Sequence, residues 1–409
     1  MTKAMNIQAD KTGLSNAAPD IQRALDTGGH LYIGPGRYRI GQTLRISSNT
    51  SLTLDQNAHL QFADGAGVGV DSFLLTNAHH DQGDRNISIY GGIWDGNNKA
   101  NPRTPGAVID QGSYTGVTIN FRNVQDLSIQ NLTLCDAESY FVRASKIIGF
   151  YFGDIRFDTT KPRPNNDGIH LGGYCRDGSI ERLRGLGLHA PNDDMVALNA
   201  DDAIERIECQ GIDVGPIESI KISDLNAPSC HSFVRLLSIS HAIRDIMITK
   251  IRGGCAESVI NMDGARGCLV PLFDPNDSRF IDGVGDCRDI HVDDIEVFKT
   301  SCENNRPLLN IQQRVSNLFI NHFRRTESSD VNQHAATLEL MNLPDTHIYL
   351  AGSDDPLAWK ELLGDHALDE HMASRVVEMT LTRAKSLRLL GGGFRRLSMH
   401  NFTPVIATT

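Results

Sequence analysis

The chain is 409 residues long, 40% hydrophobic and 22% charged, a balance that fits neither a disordered segment nor a membrane-embedded one. Its formal charge of −11 implies no broad basic surface, which argues against nucleic acid and anionic membrane as partners. A count of 37 glycines and an aromatic content of 6% favour a turn-rich architecture over one packed around large rings.

The opening residues, MTKAMNIQADKTGLSNAAPD, contain no apolar stretch of the kind a signal peptide needs, and no later run is long enough to span a bilayer. A cytoplasmic location is therefore expected. Next, AAPDIQRALDTGG reads as a short helix. Pro19 stands at its start, Ile21, Ala24 and Leu25 form an apolar stripe, and Gly28 and Gly29 stop it. Within a cap region 1–40, such a helix would cover the open end of a stacked sheet and shield its edge from water.

Short β-branched runs then recur along the chain: NISIYGGIWDG from Asn86, DLSIQNLTLCDA from Asp126, GFYFGDIRF from Gly149, and GSIERLRGLGL from Gly178. They continue with ESIKISDL from Glu218, RDIMITKIRGG from Arg244, RDIHVDDIEVF from Arg288, SNLFINHF from Ser316 and MTLTRAKSLRLL from Met379. Where nothing is inserted they return every ~23–30 residues, the interval of a solenoid. Each unit is too short to close its own core, so neighbours must stack to bury the apolar stripe. The near-two periodicity and frequent Gly exclude helical repeats and predict an all-β, right-handed parallel β-helix. One interruption, DDPLAWKELLGDHALDEHMASR, reads as a helical insertion at 354–375, with Asp355 as N-cap, Pro356 at the first turn and Trp359 on the apolar face. The whole chain, 1–409, is expected to form a single domain. Its eight cysteines form no CxxC pair, which points to reduced, buried thiols instead of structural zinc or a disulfide framework.

The chemistry concentrates in two lines, Pro164-Asn165-Asn166-Asp167-Gly168-Ile169-His170-Leu171 and Pro191-Asn192-Asp193-Asp194-Met195-Val196-Ala197-Leu198-Asn199. Both contain D-x-(I/V)-x-L, offset by roughly one solenoid turn. Stacking them would put Ile169 on Val196 and Leu171 on Leu198, and bring Asp167 and Asp194 about one strand spacing, ~4.8 Å, apart. Asp193 would project into the groove. Three carboxylates this close repel one another, so at least one holds its proton more tightly. Glycoside hydrolysis uses such a set: one carboxylic acid protonates the leaving oxygen while another carboxylate activates water.

These residues resemble glycoside hydrolase family 28, the polygalacturonases, whose motifs are Asn-Thr-Asp-Gly, Asp-Asp, Gly-His-Gly and Arg-Ile-Lys on successive coils of a right-handed β-helix. The first is matched by Asn165-Asn166-Asp167-Gly168, with Asn in place of Thr, and the second by Asp193-Asp194 within Asp193–Asn199. The likeness is specific over residues 80–240 and looser outside them. It implies an inverting hydrolase with Asp193 as general acid and with Asp167 and Asp194 holding and deprotonating the water. Cys230-His231-Ser232 is the best match to Gly-His-Gly, which would bring His231 near the acid or the substrate. The Arg-Ile-Lys motif is missing, and Ile260-Asn261-Met262-Asp263 stands in its register. Losing two cations disfavours a uronate at the cleavage site, leaving a neutral glycoside, or a uronate held by another cation such as Arg235, Arg244 or Arg266. His170, Asn166 and Tyr174 complete the expected substrate contacts, His170 from the outward side of its strand and Tyr174 as a sugar-stacking ring.

No metal or other cofactor is expected. His79-His80-Asp81 lacks ligand spacing, Gly65–Gly69 lacks a phosphate-loop context, Asp201-Asp202 reads as a loop pair and Gly391–Gly393 as a tight corner. The partner is an oligosaccharide or polysaccharide, and oligomeric state is not legible. Two other functions fit the pattern: a β-helical polysaccharide lyase or uronate epimerase, in which the acids could bind Ca²⁺, and a non-catalytic glycan-binding β-helix.

Overall fold

The computed structural model describes residues 4–103, 113–201, 212–264, 285–341, 348–351, 377–378 and 387–390. The expected insertion at 354–375, Arg266 and the corner at Gly391–Gly393 lie outside them. The fold is a parallel β-helix, and every strand pair with a defined register among the described residues is parallel. The described chain divides into two compact units, one formed by residues up to 196 with 212 and 213, the other by the remainder.

In the first unit the expected helix spans Ala18–Leu25, with Ala18, Ile21 and Leu25 buried. Asn16 Oδ1 accepts the Ala18 N–H at 3.1 Å, satisfying one of the orphan donors of the first turn. The Gln22 carboxamide clamps the helix to the strand Leu44–Ile46, accepting from Arg45 N at 2.8 Å and donating to Arg45 O at 2.9 Å. Successive coils then stack like residues: Ile89, Ile129, Phe152 and Ile180 lie side by side in register, all fully buried. The strands Ile119–Gln130, Val142–Gly153 and Arg176–Leu186 are long because each continues around a corner of the coil. The residue at that corner must take positive φ. Asn86, Asp126, Gly149 and Asp177 occupy it in turn, types that tolerate the left-handed conformation.

The second unit repeats the device. Ile222, Ile248, Val292 and Ile320 form its apolar column, and Ser219, Asp245, Asp289 and Asn317 turn its corner at positive φ. Asn317 Nδ2 donates to Asp289 Oδ1 at 2.8 Å, so the corner is also a side-chain ladder. Asp201, expected to be part of a loop pair, is buried and anchors a turn. Its carboxylate accepts the backbone N–H of Ile239 at 2.7 Å and of Ser240 at 3.0 Å, and meets His241 Nδ1 at 2.9 Å. The six described cysteines are free thiols, and burial raises Cys175 and Cys255 to about 12, leaving both protonated at neutral pH. Among the described residues no helix is long and apolar enough to cross a membrane.

Candidate active site

The stacking of the two acidic lines builds the site. The Phe141 N–H donates to Asp167 O at 2.8 Å and the Gly168 N–H donates to Asp194 O at 2.9 Å, so three consecutive coils are laddered at the head of their strands. Val142 lies beside Ile169 in this register. Gly168 is required by close approach. A Cβ there would stand 2.5 Å from Met195 O and 2.8 Å from Phe157 Cζ. The ladder brings one carboxylate oxygen from each of Asp167, Asp193 and Asp194 within 4.8 Å of the others. Asp167 and Asp194 are buried and Asp193 is partly exposed, so Asp193 is the member of the set with the greatest access to solvent.

Asp167 is oriented by its own strand. His170 Nδ1 lies 2.6 Å from Asp167 Oδ2, and the Tyr140 ring stacks on the imidazole with centroids 4.1 Å apart and planes 17° off parallel. His170 lies on the outward side of its strand, where Tyr140 covers it and leaves 3% of it exposed. Outward parity fixes direction, whereas exposure depends on what lies above.

Asn166 is also buried, with its carboxamide donating to Ala137 O at 3.2 Å and Ser139 O at 2.7 Å. It ties the Asp167 loop to the preceding coil and presents no surface for a substrate. The rest of that loop is held by charge: Arg163 Nε stands 2.7 Å from Glu138 Oε2, and Arg103 donates its backbone N–H to Glu138 Oε1 and its Nη2 to Pro164 O. Asn192 Nδ2 donates to Arg163 O at 3.1 Å, fixing the residue before Asp193 against the loop before Asp167. Glu138 and Arg163 carry no motif in the sequence, whereas Tyr140 stands in the coil Ser139-Tyr140-Phe141 that resembles the family's. That coil comes one turn before Asp167, and reading it in register leads to Tyr140. Tyr174 is 47% exposed, its ring 5.9 Å from Lys146 Nζ.

The remaining expected residues belong to the second unit. Arg235 donates to both oxygens of Asp263, Nε to Oδ1 at 3.0 Å and Nη2 to Oδ2 at 3.1 Å. The pair is bidentate and charge-assisted. Arg244 is likewise bound to Glu218 at 2.7 Å. Asn261 is in register with Arg235 and accepts from Asn310 Nδ2 at 2.9 Å. His231 Nε2 lies 3.5 Å from Glu257 Oε1. Burial raises the Glu257 carboxyl, and the His231 contact with the nearby Arg306 and Lys299 charges more than offsets this, holding it below the usual range. His79 Nδ1 is 3.0 Å from Asp84 Oδ1 and His80 Nε2 is 2.8 Å from Thr76 Oγ1.

Solved structures with this fold include the family 28 exopolygalacturonase of Yersinia enterocolitica, with 12% identity and a TM-score of 0.51 over 85% of this chain and 74% of that one. The family GH82 iota-carrageenase of A. fortis matches at 13% identity and a TM-score of 0.51, covering 72% of each chain. PfbA, a surface adhesin of Streptococcus pneumoniae, matches at 12% identity and a TM-score of 0.50, covering 86% of this chain and 93% of that one. What they share with it is the fold. No protein-family model matches the chain, and no curated protein matches it in sequence.

Proposed function

We propose that the protein is a glycoside hydrolase of the family 28 type that cleaves an O-glycosidic bond by acid–base catalysis. The observation that carries this reading is the convergence of Asp167, Asp193 and Asp194 within 4.8 Å, with two of them buried and one reaching solvent. Asp193, the accessible acid, protonates the leaving oxygen. Asp167 and Asp194 hold a water between them and take its proton as it attacks the anomeric carbon, and His170 fixes Asp167 for that role. The enzyme neighbours in fold are consistent with this chemistry.

Asp193→Asn tests the assignment. General acid–base groups contribute about 10²–10⁴-fold in rate, so release of reducing sugar from aryl glycosides or rhamnogalacturonan fragments should fall by that factor with the fold intact. Undiminished turnover would remove Asp193 from the mechanism.

One observation favours a second reading. The three carboxylates could also hold a hard divalent cation, as a lyase acting next to a uronate carboxylate would need. Loss of activity with a chelator, together with ultraviolet absorption from a new double bond in the product, would establish the lyase and displace the hydrolase.

A further inference from the structure

The outward residues of successive strands in the first unit form a row in register: Thr76 beside Asn120, Asn120 beside Arg143, and Arg143 beside His170. An extended glycan reaching Asp167 from this side would have to lie along that row, crossing strands ~4.8 Å apart. The row is closed to it. Thr76 is 0% exposed, Asn120 2%, Arg143 3% and His170 3%.

Two roofs do the covering. At one end Phe73, Val117 and Tyr140 form an apolar cluster joined by Ile212. Tyr140 lies flat on His170, and the Arg143 guanidinium sits 5.5 Å from the Phe73 ring centroid while its Nε donates to Asn120 Oδ1 at 2.7 Å. At the other end Asp213 is pinned to the outward side by four residues: Arg122 through Nε at 2.9 Å and Nη2 at 3.1 Å, Lys146 Nζ at 2.8 Å, Ser145 Oγ at 2.8 Å, and Gly173 N to its carbonyl at 2.6 Å. The neighbouring Ile212 packs so closely on Gly172 that a Cβ there would lie 2.4 Å from Ile212 Cγ2. Polar residues that would line an open groove are spent on one another and on the roofs.

Resting on the hydrolase reading, we infer that the protein acts at chain ends. A sugar bound at the triad on the side of this row is terminal, because the roofs leave a second unit nowhere to lie. Each turnover consumes one water, breaks the terminal glycosidic bond, and yields one sugar and a chain shortened by one unit.

The full chain should be incubated separately with de-esterified polygalacturonan, iota-carrageenan, rhamnogalacturonan and a panel of p-nitrophenyl glycosides. Viscosity, reducing ends and product size are followed from the first time points. The expected result is a single small product from the start, with no loss of viscosity while reducing sugar accumulates. An early fall in viscosity, or a ladder of intermediate oligomers before the small product, would overturn the chain-end assignment while leaving the hydrolase reading in place. Absence of turnover on every probe would remove the hydrolase reading, and the chain-end inference with it.

Discussion

Asp167 and His170 are bound to each other at the head of one short strand, with Nδ1 of the imidazole 2.6 Å from Oδ2 of the carboxylate. This contact makes His170 a positioning residue: it turns Asp167 toward Asp193 and Asp194, and Tyr140 in turn holds the imidazole in plane. His170→Ala should lower kcat by up to about 100-fold, the scale on which a small misplacement of a reacting group is felt, with KM little changed. His170→Asn, which keeps a donor near Asp167, should recover part of the loss. Steady-state kinetics beside a melting curve separates this from simple destabilisation, in which the two variants would lose activity in proportion to folded protein.

The stereochemistry of the product is a separate test. Inverting enzymes usually space acid and base by about 6.5–9.5 Å and retaining ones by about 5–5.5 Å. One oxygen from each of Asp167, Asp193 and Asp194 lies within 4.8 Å of the others. Inversion is expected, because two buried acids beside one accessible acid suit a water held by the buried pair. Proton NMR of the first product formed should show the anomer opposite to the substrate's. Retention would make one of the buried aspartates a nucleophile and would require a covalent intermediate.

Gly168 sits where two coils touch. Gly168→Ala places a methyl 2.5 Å from Met195 O, and backbone cannot yield as a flexible side chain can. A destabilisation of about 1–3 kcal/mol is expected from overpacking, together with loss of activity, because the displaced backbone carries both Asp167 and Asp194. Thermal unfolding of the variant against the parent measures the first effect. An unchanged Tm would mean that the coils are less tightly laddered than the structure shows.

Asp213 gives a pH dependence. Burial alone would push its carboxyl up, yet hydrogen bonds from Arg122, Lys146 and Ser145 prevail and bring it down from 3.8 to about 2. A folded-state pKa below the unfolded one means that the stabilisation is present in full above the unfolded value and fades as pH falls through the folded one. Asp213→Asn should therefore lower Tm at pH 5, and its difference from the parent should shrink between pH about 4 and 2. A constant difference across that window would show that the ion pairs do not fasten the roof.

The parallel β-helix was legible in the sequence because its cause is local and repeated. Alternating apolar residues such as Ile87-Ser88-Ile89 and Leu127-Ser128-Ile129 bury one face, and Asn, Asp or Gly at each corner permits positive φ. The acidic set was legible for the same reason: equal spacing from a shared apolar pattern forces Asp167 and Asp194 onto neighbouring strands. What covers those strands has no such period. Phe73 beneath Arg143, and Ile212 with Asp213 across the outward row, come from distant stretches of chain, and nothing in their own neighbourhoods marks them. Periodicity determined which way each side chain points. Only the tertiary packing decided whether it meets water, another side chain or a sugar, since burial is a property of the whole surrounding volume and not of the strand that carries the residue.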